Sequence, residues 1–203
     1  MGLTLKVNEQ VLIPRPDTET WLEKVIQYYR NETGLKVADL GTGSGAILVG
    51  FLYYCRDAVG VGVDISTEAL KIAEENGQNL KITDRVEWRQ GDYLKAFDEE
   101  DIFDGIFSNP PYIPTKDIGG LSREVKHEPR LALDGGTDGL YFYHLLAKGA
   151  AEHLKPGGFL AVEFGIGQAT DILEMFRKSA QYEDFEVIKD YGGIERALYC
   201  RKK

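Results

Sequence analysis

The sequence predicts an α/β fold: a seven-stranded, mostly parallel sheet with an antiparallel last strand and helices on both faces. Three observations predict it. Short apolar runs alternate along the chain with longer segments of helical periodicity, the order expected of parallel strands joined by crossover helices. The first apolar run breaks at a glycine-rich turn, Gly41-Thr42-Gly43-Ser44-Gly45, and continues into a helix. The last two apolar runs are joined by a short segment around Asp190-Tyr191-Gly192-Gly193. That segment is too short for a crossover, so the pair is antiparallel.

Each element has its own signal. Thr18 to Tyr29 reads as a helix opened by the proline-rich Ile13-Pro14-Arg15-Pro16-Asp17. Lys36 to Leu40 is the first strand, and the apolar helix Ala46 to Tyr54 follows the glycine turn. Val59 to Ile65 is the second strand. Ser66 is a good N-cap for the helix behind it, whose Ala69, Ile72 and Ala73 share one face. Arg85 to Arg89 alternates as a third strand. Phe103 to Phe107 is a fourth, ended by Ser108-Asn109-Pro110-Pro111-Tyr112, because two prolines cannot continue a sheet.

Residues 113–139 show no regular pattern. So long a stretch in a compact domain tends to be functional, and it is expected to form a lid or loop over a substrate. Leu140 to Leu154 predicts a helix, Lys155-Pro156-Gly157-Gly158 a turn and Phe159 to Phe164 a fifth strand. Gln168 to Ser179 predicts a helix, and Phe185 to Lys189 and Ala197 to Cys200 the closing strands. Residues 1–34 are expected as a proline-rich motif and helix packed on a core domain of residues 35–203.

Composition narrows the function classes. The chain has 203 residues, the size of one domain. With 43% hydrophobic and 28% charged residues it is neither disordered nor collagen-like. Lys and Arg total 24 against 33 Asp and Glu, a net charge of −9. Proteins that grip nucleic acid through its phosphates carry the opposite surplus, so nucleic acid is not the expected substrate. Cys55 and Cys200 lie far apart in apolar settings and read as buried free thiols. His127, His144 and His153 lack metal-ligand spacing, so no metal is expected. No apolar run reaches the ~18–20 residues of a membrane span, and the N-terminus carries no signal-peptide pattern. A soluble, cytoplasmic monomer is expected.

Asp39-Leu40 leads into the glycine turn. Glycine lets the backbone turn tightly and a ligand approach with no Cβ in the way, and N–H groups at a helix start face such a ligand. Asp64, at the end of the second strand, can accept hydrogen bonds from a ribose diol, at about 1.5–3 kcal/mol for each bond to a charged acceptor. Two ligands fit. Gly41-x-Gly43-x-x-Ala46 satisfies a dinucleotide pattern. The alternate-position glycines led by Asp39 suit S-adenosylmethionine, with the acid facing its amino group. Asp92 and Tyr93 follow the third strand, at the sheet edge where ligands sit. There an acid can accept from an exocyclic amine and an aromatic ring can stack on a base.

The Asn109-Pro110-Pro111-Tyr112 turn falls at the same edge. A planar NH2 group has its lone pair tied into conjugation and is a poor nucleophile. The Asn109 side-chain carbonyl and the Pro110 backbone carbonyl can each accept one of its N–H bonds, which holds the nitrogen toward a methyl donor. Pro110 and Pro111 stiffen the turn, and Tyr112 can pack on the flat substrate group and lie near a positive sulfur.

With these motifs together, the sequence resembles the class I S-adenosylmethionine-dependent methyltransferases, which have a Rossmann-like fold. Within them it resembles the HemK/PrmC family, the N5-glutamine methyltransferases of peptide chain release factors. Leu12 to Glu19 is similar to the family's LIPRPDTE, Asp39 to Ile47 to its cofactor turn and Ser108 to Pro114 to its catalytic turn. Glu128-Pro129, Ala132-Leu133, Gly136 to Leu140, Leu154 to Gly158, Glu163 to Gly165, Gln168, Lys189-Asp190, Gly193 and Arg196 resemble further family motifs.

The resemblance implies S-adenosylmethionine as cofactor and S-adenosylhomocysteine as product. It implies a class 1 release factor as partner, methylated on the glutamine of its Gly-Gly-Gln loop. By the same match Gly41, Thr42, Gly43, Ser44, Gly45, Asp64, Tyr93 and Asn109 meet the cofactor, and Asn109 to Tyr112 hold the glutamine amide. Arg15 is placed near cofactor or substrate. The family usually has Trp where Tyr93 stands. It also usually carries a helical domain ahead of the region matched here, so the chain is expected to be the catalytic domain without it. Three other readings stay open: an adenine-N6 methyltransferase on DNA or RNA, an NAD-binding oxidoreductase, and a non-catalytic S-adenosylmethionine-binding module. The second lacks a second dinucleotide half.

Overall fold

A computed structural model describes all 203 residues. In chain order the elements are α1 (Pro16–Tyr29), β1 (Lys36–Leu40), α2 (Ala46–Tyr54), β2 (Val59–Asp64), α3 (Thr67–Asn79), β3 (Val86–Gln90), β4 (Phe103–Ser108), α4 (Tyr141–Gly149), β5 (Leu154–Glu163), α5 (Ala169–Lys178), β6 (Tyr182–Lys189) and β7 (Glu195–Lys202). One seven-stranded sheet runs in the order β3-β2-β1-β4-β5-β7-β6. The first five are parallel, and β7 is antiparallel to both β5 and β6. This is the class I methyltransferase fold expected from the sequence.

Strand periodicity divides the core into two layers. Successive side chains point to opposite faces of a sheet. Ala38, Leu40, Ile106, Leu160, Val162, Leu198 and Cys200 therefore pack with Tyr143 and Leu146 of α4 and Ile172 and Phe176 of α5. Their alternates Val37, Phe107, Phe159, Ala161, Ala197 and Tyr199 pack with Trp21 and Val25 of α1 and Phe51 of α2. Both faces are covered, which explains why α2 is apolar all round and buried from Ile47 to Leu52. Cys55 and Cys200 are buried free thiols. No helix is long and apolar enough to cross a membrane.

Three strands start earlier than expected, β7 by two residues at Glu195 and two others by more. β5 begins at Leu154 because Phe103 pairs with Leu154 and Gly105 with Phe159. The residues expected as a turn, 155–158, bulge out between those pairs, with Gly157 at φ +73. β6 begins at Tyr182 rather than Phe185. An irregularity between Glu183 and Glu186, with Asp184 at φ +52, breaks the alternation a sequence reading relies on. In both cases the partner strand decides the start.

Residues 113–139 carry three short 3-10 turns and are pinned to the fold. Ile113 bridges Asp134, and Thr115 Oγ1 donates to Asp134 at 2.6 Å.

Candidate active site

The carboxyl ends of β1, β2 and β4 open on a cleft of ≈ 290 Å³. Its floor is Gly41, Thr42, Gly43, Ser44, Ala46 and Ile47, and its sides include Asp64, Ser66, Asp92, Tyr93, Asn109 and Pro111. Val11, Leu12 and Pro14 from the N-terminal segment and Pro129, Leu131 and Ala132 from the 113–139 segment close it from above. The glycine turn and the Asn109 turn share one cavity because β1 and β4 are neighbours in register, Leu40 opposite Ser108.

The glycine turn is held from within. Gly41 and Thr42 donate their N–H groups to Val63 O at 2.9 Å, and Gly45 donates to Thr42 O at 2.8 Å. Gly43 donates to Asp64 Oδ2 at 2.8 Å. The turn's own amides are therefore largely satisfied. What faces a ligand is the start of α2 at Ala46 and Ile47, whose N–H groups have no backbone acceptor. Gly41 adopts φ +71, which favours glycine, and a Cβ there would lie a tight 3.0 Å from the Tyr93 hydroxyl.

Three carboxylates make the turn electronegative. Asp64 lines the cleft, with Oδ2 on Gly43 N–H and Oδ1 accepting from Ser66 N–H at 2.9 Å. Each oxygen keeps a lone pair for a further donor. Burial raises its pKa above the ordinary value, against the backbone bonds that lower it. Asp39 is fully buried beneath the turn. Its Oδ2 accepts from Thr42 Oγ1 at 2.6 Å, while Oδ1 has no hydrogen-bond partner. Burial pushes its pKa up to about 7, opposed by the Thr42 hydroxyl and the Leu48 amide. Asp92 sits at the rim in an exposed ion pair with Lys95.

Tyr93 has φ +51, a rare backbone for a non-glycine residue, which turns its ring into the cleft. The ring stacks on Phe142 at a centroid distance of 4.6 Å. Its hydroxyl is buried with no partner. Phe142 also lines the cleft and carried no sequence signal of its own.

The Asn109 turn is braced from behind. Asn109 and Pro111 line the cleft; Pro110, buried between them, and Tyr112 do not form part of its lining. Gln168 Nε2 donates to Tyr112 O at 3.2 Å and Gly139 O at 3.3 Å, and its Oε1 accepts from Gly165 N–H at 2.8 Å. Burial pushes the Tyr112 hydroxyl up to about 12. Beside Asn109 lies Glu163, the last residue of β5, buried and accepting on Oε2 from Thr18 Oγ1 at 2.6 Å and Trp21 Nε1 at 2.8 Å.

Arg15 does not line the cavity. Its Nη2 donates to both oxygens of Glu128, at 2.6 and 2.8 Å, and so ties the N-terminal segment to the 113–139 segment. Asp39 and Gly45 also lie outside the cavity wall, behind the turn they support. Sequence reasoning missed Thr18, Phe142, Glu163 and Gln168 as site residues. Thr18, Glu163 and Gln168 stood in matched motifs, which was the one signal available. No cluster of three or more His, Cys, Asp or Glu side chains is placed to hold a metal ion.

A family model described as a methyltransferase domain matches residues 31–163. The release factor glutamine methyltransferase of Bradyrhizobium diazoefficiens is 44% identical over 205 residues, which cover 99% of this chain and 68% of that protein. Its counterpart in Moorella thermoacetica is 41% identical over 203 residues, 100% of this chain and 71% of that protein. Among solved structures, a methyltransferase from Pyrococcus furiosus superposes with a TM-score of 0.71 at 22% identity, covering 99% of this chain and 89% of that one.

Proposed function

The chain belongs to the release factor glutamine methyltransferases, and we propose that its cleft carries out the family reaction on a release factor: S-adenosylmethionine-dependent methylation of a glutamine side-chain nitrogen. The observation that carries this reading is the single cavity shared by the electronegative glycine turn and the Asn109 turn. One motif suits a cationic methyl donor and the other a planar amide.

The residues fit the cofactor. The unpartnered Asp39 Oδ1 and the raised pKa of Asp39 mark a buried acid without a cation, as expected of a site made for an ammonium-bearing ligand. Asp64 has lone pairs for a ribose diol, and the stacked Tyr93 and Phe142 rings offer an apolar wall for a base. Gly41, Thr42, Gly43 and Ser44 shape the floor, with Gly45 behind them, and Asp92 lies at the adenine side. S-adenosylmethionine supplies an electrophilic methyl group when bound, leaving S-adenosylhomocysteine.

The chain's own part is binding and orientation. Asn109 Oδ1, at the cavity wall, accepts one N–H bond of the acceptor amide, and the Pro110 carbonyl accepts the other once the amide is seated against the turn, which holds and aims the nitrogen. Pro111 keeps the turn rigid, and Gln168 holds the Tyr112 carbonyl behind it. No strong base is needed before transfer, because the nitrogen proton becomes acidic once the nitrogen carries the methyl group. The N-terminal segment and residues 113–139 form the substrate-facing roof, joined by Arg15 and Glu128. They exclude water from the reacting atoms.

The test is transfer of labelled methyl from S-adenosylmethionine to a class 1 release factor, to that factor with the loop glutamine replaced by alanine, and to DNA and RNA. Label on the intact factor alone is expected. Label on nucleic acid and none on the factor overturns the reading.

A further inference from the structure

We propose that Glu163 is a positioning residue that decides which end of the Asn109 amide faces the acceptor nitrogen; the inference rests on the function proposed above. An asparagine side chain is nearly symmetric in shape but not in chemistry. One end accepts hydrogen bonds and the other donates. Only the carbonyl end can hold the N–H of an incoming amide, so a rotated Asn109 would present donors to donors. Something beside it must choose.

Glu163 is placed to choose. β4 and β5 run parallel with Ser108 opposite Val162, which sets the next residues, Asn109 and Glu163, side by side where the strands end at the cleft. Glu163 is 3% exposed. Both donors from α1, Thr18 and Trp21, bond to its Oε2. Oε1 takes no bond from α1. Burial raises the Glu163 pKa, opposed by the Thr18 and Trp21 bonds and by the neighbouring Asn109 amide. An ionised carboxylate only accepts, so the end of Asn109 that it favours on its own side is the NH2. The carbonyl is then directed to the cavity that Asn109 lines.

The choice of residue supports this. Fastening α1 requires only an oxygen with two lone pairs, which a glutamine carbonyl supplies without burying a charge. A buried carboxylate costs more to desolvate. It is needed where a third neighbour must be kept in one orientation.

The experiment compares Glu163→Gln and Trp21→Phe with wild type, using release factor as acceptor. Glu163→Gln keeps a carbonyl for Thr18 and Trp21 but turns an NH2 toward Asn109. Its kcat is expected to fall at least about tenfold, with the Kd for S-adenosylmethionine within about twofold of wild type. Trp21→Phe removes an α1 donor and leaves Asn109 held, so it lowers the denaturation midpoint but not kcat. Without any acceptor, the Asn109 side-chain NH2 resonances exchange slowly with solvent in wild type and shift in Glu163→Gln. Wild-type kcat in Glu163→Gln, equal losses of kcat in both variants, or Asn109 NH2 protons that exchange as fast in wild type as those of exposed asparagines overturn the inference. A wild-type protein that leaves the factor unmethylated counts against the proposed function, whereas the resonance measurement judges the role of Glu163 without any acceptor.

Discussion

Arg15 and Glu128 are 113 residues apart in sequence, yet one guanidinium nitrogen of Arg15 lies 2.6 and 2.8 Å from the two carboxylate oxygens of Glu128. Glu128 is 7% exposed. The contact joins the two segments that roof the cleft, and it gives a structural reason for an arginine that local periodicity does not explain.

Arg15→Ala leaves the Glu128 carboxylate buried and unpaired. Breaking a fully buried pair costs about 3–5 kcal/mol. Arg15 is about one-third exposed, so screening reduces the expected loss to roughly 1–3 kcal/mol. Urea denaturation reads that loss. Limited proteolysis is expected to show new cleavage within residues 113–139. Unchanged stability together with an unchanged cleavage pattern would remove the ion pair from the account of the roof.

Asp64→Ala removes an acceptor from the ribose side of the cleft. S-adenosylmethionine binding, followed by calorimetry, is expected to weaken by about 1.5–3 kcal/mol, the worth of hydrogen bonds to a charged acceptor. Wild-type affinity would place Asp64 outside the binding set.

Asp39 gives a pH signature. Its pKa rises from 3.8 to about 7 on folding, first through burial. Between those values the folded protein holds a proton that the unfolded chain has released. The Asp39 contribution to stability therefore falls as pH rises from about 4 to about 7 and is level outside that window. Asp39→Asn is expected to lack this slope and to match or exceed wild type at pH 7.5, measured by denaturation at pH 5 and 7.5. Affinity for S-adenosylmethionine in wild type is expected to rise over the same window, as the acid beneath the turn ionises and makes the potential at the cleft more negative. A slope identical in wild type and Asp39→Asn would contradict the assignment.

Much of this was legible in the sequence because local chemistry and the fold agree there. β1 and α2 fall where an apolar run, a glycine turn and an apolar helix predict them. The shared cavity follows from two motifs at the ends of strands that parallel α/β sheets place together. The starts of β5 and β6 were not legible. Pairing with Phe103 and with Arg201 and Lys202 sets them, and bulges interrupt the alternation. Glu163 and Gln168 escaped as site residues for a related reason. Their partners Thr18, Trp21, Tyr112 and Gly139 are distant in sequence, and a long-range hydrogen bond has no period. The N–H groups at the start of α2 were expected to face a ligand, and Ala46 and Ile47 keep theirs without a backbone acceptor; that the strand would take two of the glycine-turn amides at Val63 O was not legible.

The most direct measurement is a residue-localised mass spectrum of a class 1 release factor after incubation with S-adenosylmethionine and either wild-type protein or Asn109→Ala. The account predicts one added methyl group on the side chain of the Gly-Gly-Gln glutamine with wild type, and none with Asn109→Ala even though that variant still binds S-adenosylmethionine. A methyl group on any other residue, or full modification by Asn109→Ala, would contradict it.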